Sequence, residues 1–155
     1  MSKIDARLNE LGIVIPEAAT PAANYVGYVI SGNQIIISGQ IPVVNGEVQY
    51  IGKVGVDYTA DEAMEVAKVC AINIFAQAKM ALDGDLDRVT RIVKLGGFVN
   101  AVDSFTEQPK VINGASDFMV EVFGKEIGSH SRAAVGVASL PFGVAVEIDA
   151  IIEFQ

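Results

Sequence analysis

Thr59 to Phe98, TADEAMEVAKVCAINIFAQAKMALDGDLDRVTRIVKLGGF, carries a long helical stripe followed by a strand-like run, and that succession decides the fold class. Thr59-Ala60-Asp61-Glu62 has the form of a capping box: the threonine oxygen accepts from the amide three residues on, and the glutamate reaches back. Ala63, Val66, Ala67, Cys70, Ile74, Ala78 and Leu82 then form one apolar stripe, and Gly84 ends it. Beyond a polar turn, apolar residues at 89, 92, 93, 95 and 98 read as a strand over Arg88–Phe98.

Towards the N-terminus, Ser31-Gly32-Asn33 is a turn signal between the strand-like runs Tyr25–Ile30 and Gln34–Val43, which predicts a β-hairpin. Asn45-Gly46 marks a second turn before a short strand at Glu47–Tyr50. Residues 1–21 read as a helical extension, with Ile4, Leu8 and Leu11 at helical spacing, and a Pro/Ala-rich connector. Towards the C-terminus a second helix is expected from about Pro109 to Phe123, stopped by Gly124. Ala133–Ala138, a Leu140–Gly143 turn and Val144–Phe154 close the chain. The expected architecture is one α+β domain over 1–155, a mixed or antiparallel sheet with two helices on one face. The strands are apolar on both alternations, as in Gln34–Ile37 and Val144–Ile152, so the other sheet face predicts a partner subunit.

Apolar residues make up 51% of the chain and charged residues 19%, which places it among ordered globular proteins. The net charge of −8 and the lack of a Lys/Arg stripe argue against nucleic acid and against an anionic membrane surface. The opening MSKIDARLNELG is charged and amphipathic, unlike a signal peptide, and a cytoplasmic location is expected.

Neither GxGxxG after a strand, nor GxxxxGK[ST], nor HExxH occurs, so nucleotide binding and zinc-peptidase chemistry have no support. No cofactor and no metal are expected. His130, the single histidine, reads as a solvated loop residue in Gly-Ser-His-Ser. Cys70, the single cysteine, sits on the apolar stripe and reads as a small buried hydrophobe. Asp83, Asp85 and Asp87 lack the remaining ligands of a calcium loop and read as a solvated turn.

One constellation remains. Arg132 enters an apolar strand, and a guanidinium there needs an anion on this chain, on a neighbour or on a ligand. Glu147, within Val-Ala-Val-Glu-Ile-Asp-Ala, poses the same problem with the opposite sign. They are either structural ion-pair partners or the poles of a site. Strand register decides whether they share a face, and a one-residue slip reverses the answer.

Ser38-Gly39-Gln40-Ile41-Pro42, Val111-Ile112-Asn113-Gly114-Ala115, Ser131–Pro141 (SRAAVGVASLP) and Val144-Ala145-Val146-Glu147-Ile148 resemble, in this order, the motifs of the RidA (YjgF-type) family, also labelled endoribonuclease L-PSP. The resemblance covers about residue 22 to the end and points to a longer branch with an N-terminal extension. It implies a chorismate-mutase-like homotrimer with sites in clefts between subunits. It also implies hydrolytic deamination of reactive 2-imino acids and their enamine tautomers to 2-keto acids and ammonia.

Residue by residue, Arg132 matches the arginine that grips the substrate carboxylate, and Glu147 the glutamate that positions the attacking water. Ser38 and the Gly39 amide match strand-end groups lining the pocket, and Asn113 the helix asparagine near it. The family's tyrosine falls at Tyr25 or Tyr28, and Tyr28 is preferred because the following strand then needs only a shortened turn. Two departures stand out: Ala134 replaces a cysteine that many relatives carry, and the stretch from Asn113 to Arg132 is slightly longer. The competing expectations are a non-catalytic binder of small carboxylic or keto acids, or a chaperone-like module. The endoribonuclease or translation-inhibitor role comes third, since −8 charge and a lone histidine oppose it.

Overall fold

The computed structural model describes residues 1–155. The chain runs α1 (Lys3–Glu10), β1 (Tyr28–Ser31), β2 (Gln34–Gln40), β3 (Val43–Val44), β4 (Glu47–Val48), α2 (Ala60–Ala81), β5 (Val89–Asn100), α3 (Gln108–Gly128), β6 (Ser131–Val137) and β7 (Val146–Phe154). β3 and β4 form a separate two-stranded hairpin. Its turn residues Asn45 and Gly46 both have positive φ, the conformation that Asn-Gly favours. The other five strands make one sheet in the order β1-β2-β7-β5-β6. β5 and β6 run parallel and every other neighbouring pair is antiparallel, so the sheet is mixed.

The capping box forms as the sequence predicts. Glu62 N donates to Thr59 Oγ1 at 3.1 Å, and Thr59 N donates to Glu62 Oε1 at 3.0 Å. α2 and α3 lie side by side on one face of the sheet. Phe75 on α2 stacks on Phe118 (centroids 5.2 Å apart) and meets Phe123 edge-on at 5.3 Å, both on α3. The helices approach so closely at Gly114 that a Cβ there would collide with the Met64 carbonyl oxygen. Gly97 plays the same part beneath α3, where a Cβ would lie 2.6 Å from Ile112 Cδ1.

Strand alternation sorts the side chains between the two sheet faces. On β7, Val146, Ile148, Ala150 and Ile152 are buried under the helices, with Ile35, Ile37, Leu95 and Val99 from β2 and β5. Each of these buried valine, leucine and isoleucine side chains stabilises the fold by about 1.5–3 kcal/mol. Glu147, Asp149, Ile151 and Glu153 alternate onto the opposite, helix-free face. That face also carries Val29 and Ile36, which are exposed, as the doubly apolar strands led one to expect.

Several boundaries differ from the sequence reading. β1 starts at Tyr28, because Asn24–Val26 does not pair with β2. β5 continues to Asn100, held by parallel pairing with β6 as far as Val137. Gly124 (φ 80°, ψ 164°) does break the second helix, but helical turns resume beyond it to Gly128. The N-terminal helix packs on the body of the fold, and Ile4 and Leu8 belong to the core. Its first amides, of Lys3 and Ile4, donate to the Asp87 carboxylate, each at 2.8 Å. Asp87 is exposed, as a solvated turn residue should be, and it also anchors the start of α1. Cys70 is fully buried, and burial pushes its thiol far up, as suits an inert core residue. No helix is long and apolar enough to cross a membrane.

Candidate functional site

Arg132 is the second residue of β6, an edge strand. Parallel pairing sets it beside Leu95, whose side chain points to the helices, so Arg132 turns to the same side and meets α3. There its Nη1 donates to Asn113 Oδ1 at 2.7 Å and to Ser116 Oγ at 3.1 Å, and its Nη2 donates to the Pro109 carbonyl at 3.2 Å. Positions 109, 113 and 116 recur at i, i+4 and i+7, which is one face of a helix. All three acceptors are neutral, and no carboxylate lies within ion-pair distance of the guanidinium. A guanidinium has five N–H groups. Three are committed here, so Nε–H and one Nη2–H are left for an anion.

Ser116 and His130 had no functional signal in the sequence, and His130 is not the solvated loop residue that its Gly-Ser-His-Ser setting suggested. It is partly buried, with Nδ1 2.7 Å from the Gly128 carbonyl and Nε2 2.8 Å from Ser116 Oγ. Ser116 follows Asn113 by one helical step, the only hint the sequence held.

A second cluster lies on the helix-free face. Glu147, on β7, is half-buried and has no cation within ion-pair distance. Burial and then the charge of Asp149 raise its carboxyl above the ordinary range. Asp149, two residues on and on the same face, is also raised by burial, against the pull of the Gly96 amide and Lys94. Gly39 sits in the bulge that interrupts the β2–β7 ladder between Ile37 and Gln40. A Cβ at Gly39 would lie 2.7 Å from Glu147 Oε2, so a bare backbone is what lets the strand pass the carboxylate. Ser38 Oγ donates to the Val26 carbonyl at 2.7 Å, and Ser38 N donates to the Gly27 carbonyl at 2.9 Å. Those bonds fold the Tyr25–Gly27 segment over the sheet edge. The hollow so formed, about 600 Å³, is lined by Tyr25, Tyr28, Ser38 and Asp149 among others. Tyr28 pairs with the inward-facing Ile37 and packs against the core, while Tyr25 stands 59% exposed. Both tyrosines line the hollow, and Tyr25 is the more exposed of the two.

The two clusters do not meet within one chain. Arg132 faces α3, and Glu147 lies on the opposite face of the sheet, two strands away and three residues along. By ordinary strand spacing their Cα atoms are about 14 Å apart. An ion pair between Arg132 and Glu147 of the same chain is thus excluded. Each chain thus carries two separate clusters: Arg132 with Asn113 and Ser116, and Glu147 beside Gly39, next to the hollow that Ser38 and Tyr25 line.

Residues 5–149 match a family described as "YjgF/chorismate mutase-like, putative endoribonuclease". Protein TCP17 of Trypanosoma cruzi is 52% identical over 153 residues, which is 99% of this chain and 95% of that one. The structure of Atu1372 from Agrobacterium tumefaciens, a protein described as having unknown function, aligns with TM-score 0.91 at 50% identity, covering 98% of this chain and 92% of that one. A structure described as a "putative endoribonuclease" from Shewanella oneidensis MR-1 aligns with TM-score 0.94 at 35% identity, covering 99% and 100%.

Proposed function

The chain belongs to the YjgF/chorismate mutase-like (RidA/L-PSP) family, and from that premise we propose that it hydrolyses reactive 2-imino acids to 2-keto acids and ammonia, at clefts where Arg132 of one copy faces Glu147 of another. The observation that carries the reading is Arg132: a partly buried guanidinium, fixed by three neutral acceptors, with no carboxylate partner and two donors to spare. Such a group is built to receive an anion from outside the chain, and a planar fork suits a carboxylate. Glu147 is its complement, a raised carboxyl without a cation.

In this mechanism Arg132 holds the substrate carboxylate and so places the adjacent C=N group. An iminium carbon is electrophilic without covalent activation, so orientation can supply much of the acceleration. Glu147 accepts a proton from water as the water oxygen bonds to the iminium carbon and the C=N π electrons move to nitrogen. It then returns that proton to the amino nitrogen. The C–N bond breaks, ammonia leaves, and the hydroxyl's proton passes through the Glu147 carboxylate to the ammonia, giving the keto acid and ammonium. A carboxyl raised towards neutrality is the better base for this transfer, a step typically worth about 10²–10⁴-fold. Ser38, the Gly39 amide and Tyr25 line the wall beside the water, and Asn113 holds Arg132. Assembly as a homotrimer would place the helix-free sheet face against its neighbours and close the clefts. With a charge of −8, RNA is a poor second candidate.

The test is imine disappearance, with 2-iminopropionate generated in situ by an amino-acid oxidase, for wild type and Arg132→Ala matched in oligomeric state. Acceleration by wild type that the variant loses supports the proposal. If wild type is inert towards small, branched and aromatic imino acids yet binds the keto acids through Arg132, the cleft is a carboxylate-binding site without catalysis.

A further inference from the structure

Arg132 is held by more than the helix it touches. The Gly128 carbonyl can only accept, so His130 Nδ1 carries a hydrogen and donates to it across 2.7 Å. In the neutral ring Nε2 is then an acceptor, and the group facing it at 2.8 Å is Ser116 Oγ. A guanidinium can only donate, so Ser116 Oγ accepts from Arg132 Nη1 at 3.1 Å while its own hydrogen points to Nε2. With the ring neutral, every bond has one direction: Arg132 to Ser116, Ser116 to His130, His130 to the backbone.

The backbone is shaped to make this chain possible. Gly124 leaves the helical conformation with φ 80°. Gly128 packs so tightly on α3 that a Cβ would lie 2.6 Å from the Met119 carbonyl oxygen. The break and the tuck bring His130 back over Ser116, fourteen residues earlier.

We infer that Ser116 and His130 are positioning residues for carboxylate recognition, holding Arg132 with its two uncommitted N–H groups turned to the ligand. With Asn113, Ser116 occupies both hydrogens of Nη1, and this fixes the rotation of the guanidinium plane. His130 fixes the Ser116 rotor, since a free hydroxyl could otherwise offer its hydrogen rather than its lone pair towards Arg132. The inference rests on the reading of Arg132 as the carboxylate anchor.

The experiment compares wild type, Ser116→Ala, His130→Ala, His130→Gln and the double alanine variant as intact oligomers. The probes are 2-oxobutanoate binding, binding of its uncharged amide, and imine hydrolysis. Losing one charge-assisted hydrogen bond corresponds to about a tenfold change. Ser116→Ala and His130→Ala are expected to raise KM and the keto-acid Kd about tenfold, to leave kcat within about threefold, and to leave amide binding unchanged. His130→Gln, whose amide oxygen can stand near Nε2, is expected to restore most of the affinity if the inference holds, including where the alanine variants unfold. The double variant should be no worse than Ser116→Ala, because the two residues act in series. Wild-type affinity in Ser116→Ala or His130→Ala overturns the inference and leaves the function proposal standing. Failure of wild type to bind the keto acid at all overturns the function proposal instead, and the inference with it.

Discussion

Glu147 shows how a single residue couples stability to chemistry. Burial and the neighbouring Asp149 raise its carboxyl, so the folded chain binds that proton more tightly than the unfolded chain does. Stability then falls as pH rises from the ordinary carboxylate range through the raised value, and the full penalty stands above it. Glu147→Gln removes the penalty. Because the group is only half-buried the gain is small, about 1–3 °C in the unfolding midpoint at pH 7–8, closing below about pH 4. The same variant is expected to lose hydrolysis by about 10²-fold or more. Thermal melts across pH check the first part; a gap of constant size down to acid pH would show that the ionised carboxylate is not its source. Gly39 makes the matching test from the other side. The added methyl of Gly39→Ala would stand 2.7 Å from Glu147 Oε2 and 2.9 Å from its carboxyl carbon, so the carboxylate must move. A displacement near 1 Å can cost about 10²-fold in rate. The expected outcome is a fall in kcat with KM for the imino acid nearly unchanged, since Arg132 is untouched.

At the scale of elements, α3 is the part that joins packing to recognition. It supplies the Pro109 carbonyl, Asn113 and Ser116 to Arg132; its height above the sheet is set by Gly97, and its distance from α2 by Gly114. In an ordinary helix Gly→Ala stabilises by up to about 1 kcal/mol. Here the methyl of Gly114→Ala would collide with the Met64 carbonyl, so the sign reverses. A loss of about 1–3 kcal/mol is expected in denaturant unfolding. A weaker keto-acid affinity should accompany it, as α3 shifts from beneath Arg132. A stabilised Gly114→Ala would show that α2 and α3 separate freely and do not fix the site. These elements were legible to different degrees. The capping box at Thr59 and Glu62 depends on residues three apart, and both bonds form as read. The stop at Gly124 was read from the same kind of local signal, yet helical turns resume beyond it. What the sequence could not reveal was non-local. The facing of Arg132 follows from a parallel register with Leu95, and that of Glu147 from an antiparallel register with Phe98. His130 looked solvated because its partner, Ser116, lies on another element. Spacing favoured Tyr28 over Tyr25, and only the pairing with Ile37, which packs Tyr28 against the core and leaves Tyr25 the more exposed ring, separates the two.

For the whole molecule, the proposal implies that one chain carries two incomplete half-sites, since Arg132 and Glu147 lie on opposite faces of its sheet. Neither half can act alone in the proposed hydrolysis: Arg132 anchors a substrate with no base beside it, and Glu147 positions a water with no anchor. In the proposed trimer, a rotationally symmetric ring would offer every copy's Arg132 side to the next copy's Glu147 side. This makes a sharp prediction for mixed assemblies. Arg132→Ala chains and Glu147→Gln chains should each form inactive oligomers. Mixed one to one and reassembled at random, a given cleft is intact only when its arginine comes from a Glu147→Gln chain and its glutamate from an Arg132→Ala chain. Each choice has probability one half, so about one quarter of wild-type activity per site should return in a ring of such clefts. Activity is measured before and after mild dissociation and refolding, with mass measurement of the mixed species. Recovery near that fraction places each active site between two copies. No recovery, with mixed oligomers present, would mean that Arg132 and Glu147 do not serve one cleft, and the anchor would then need a different base.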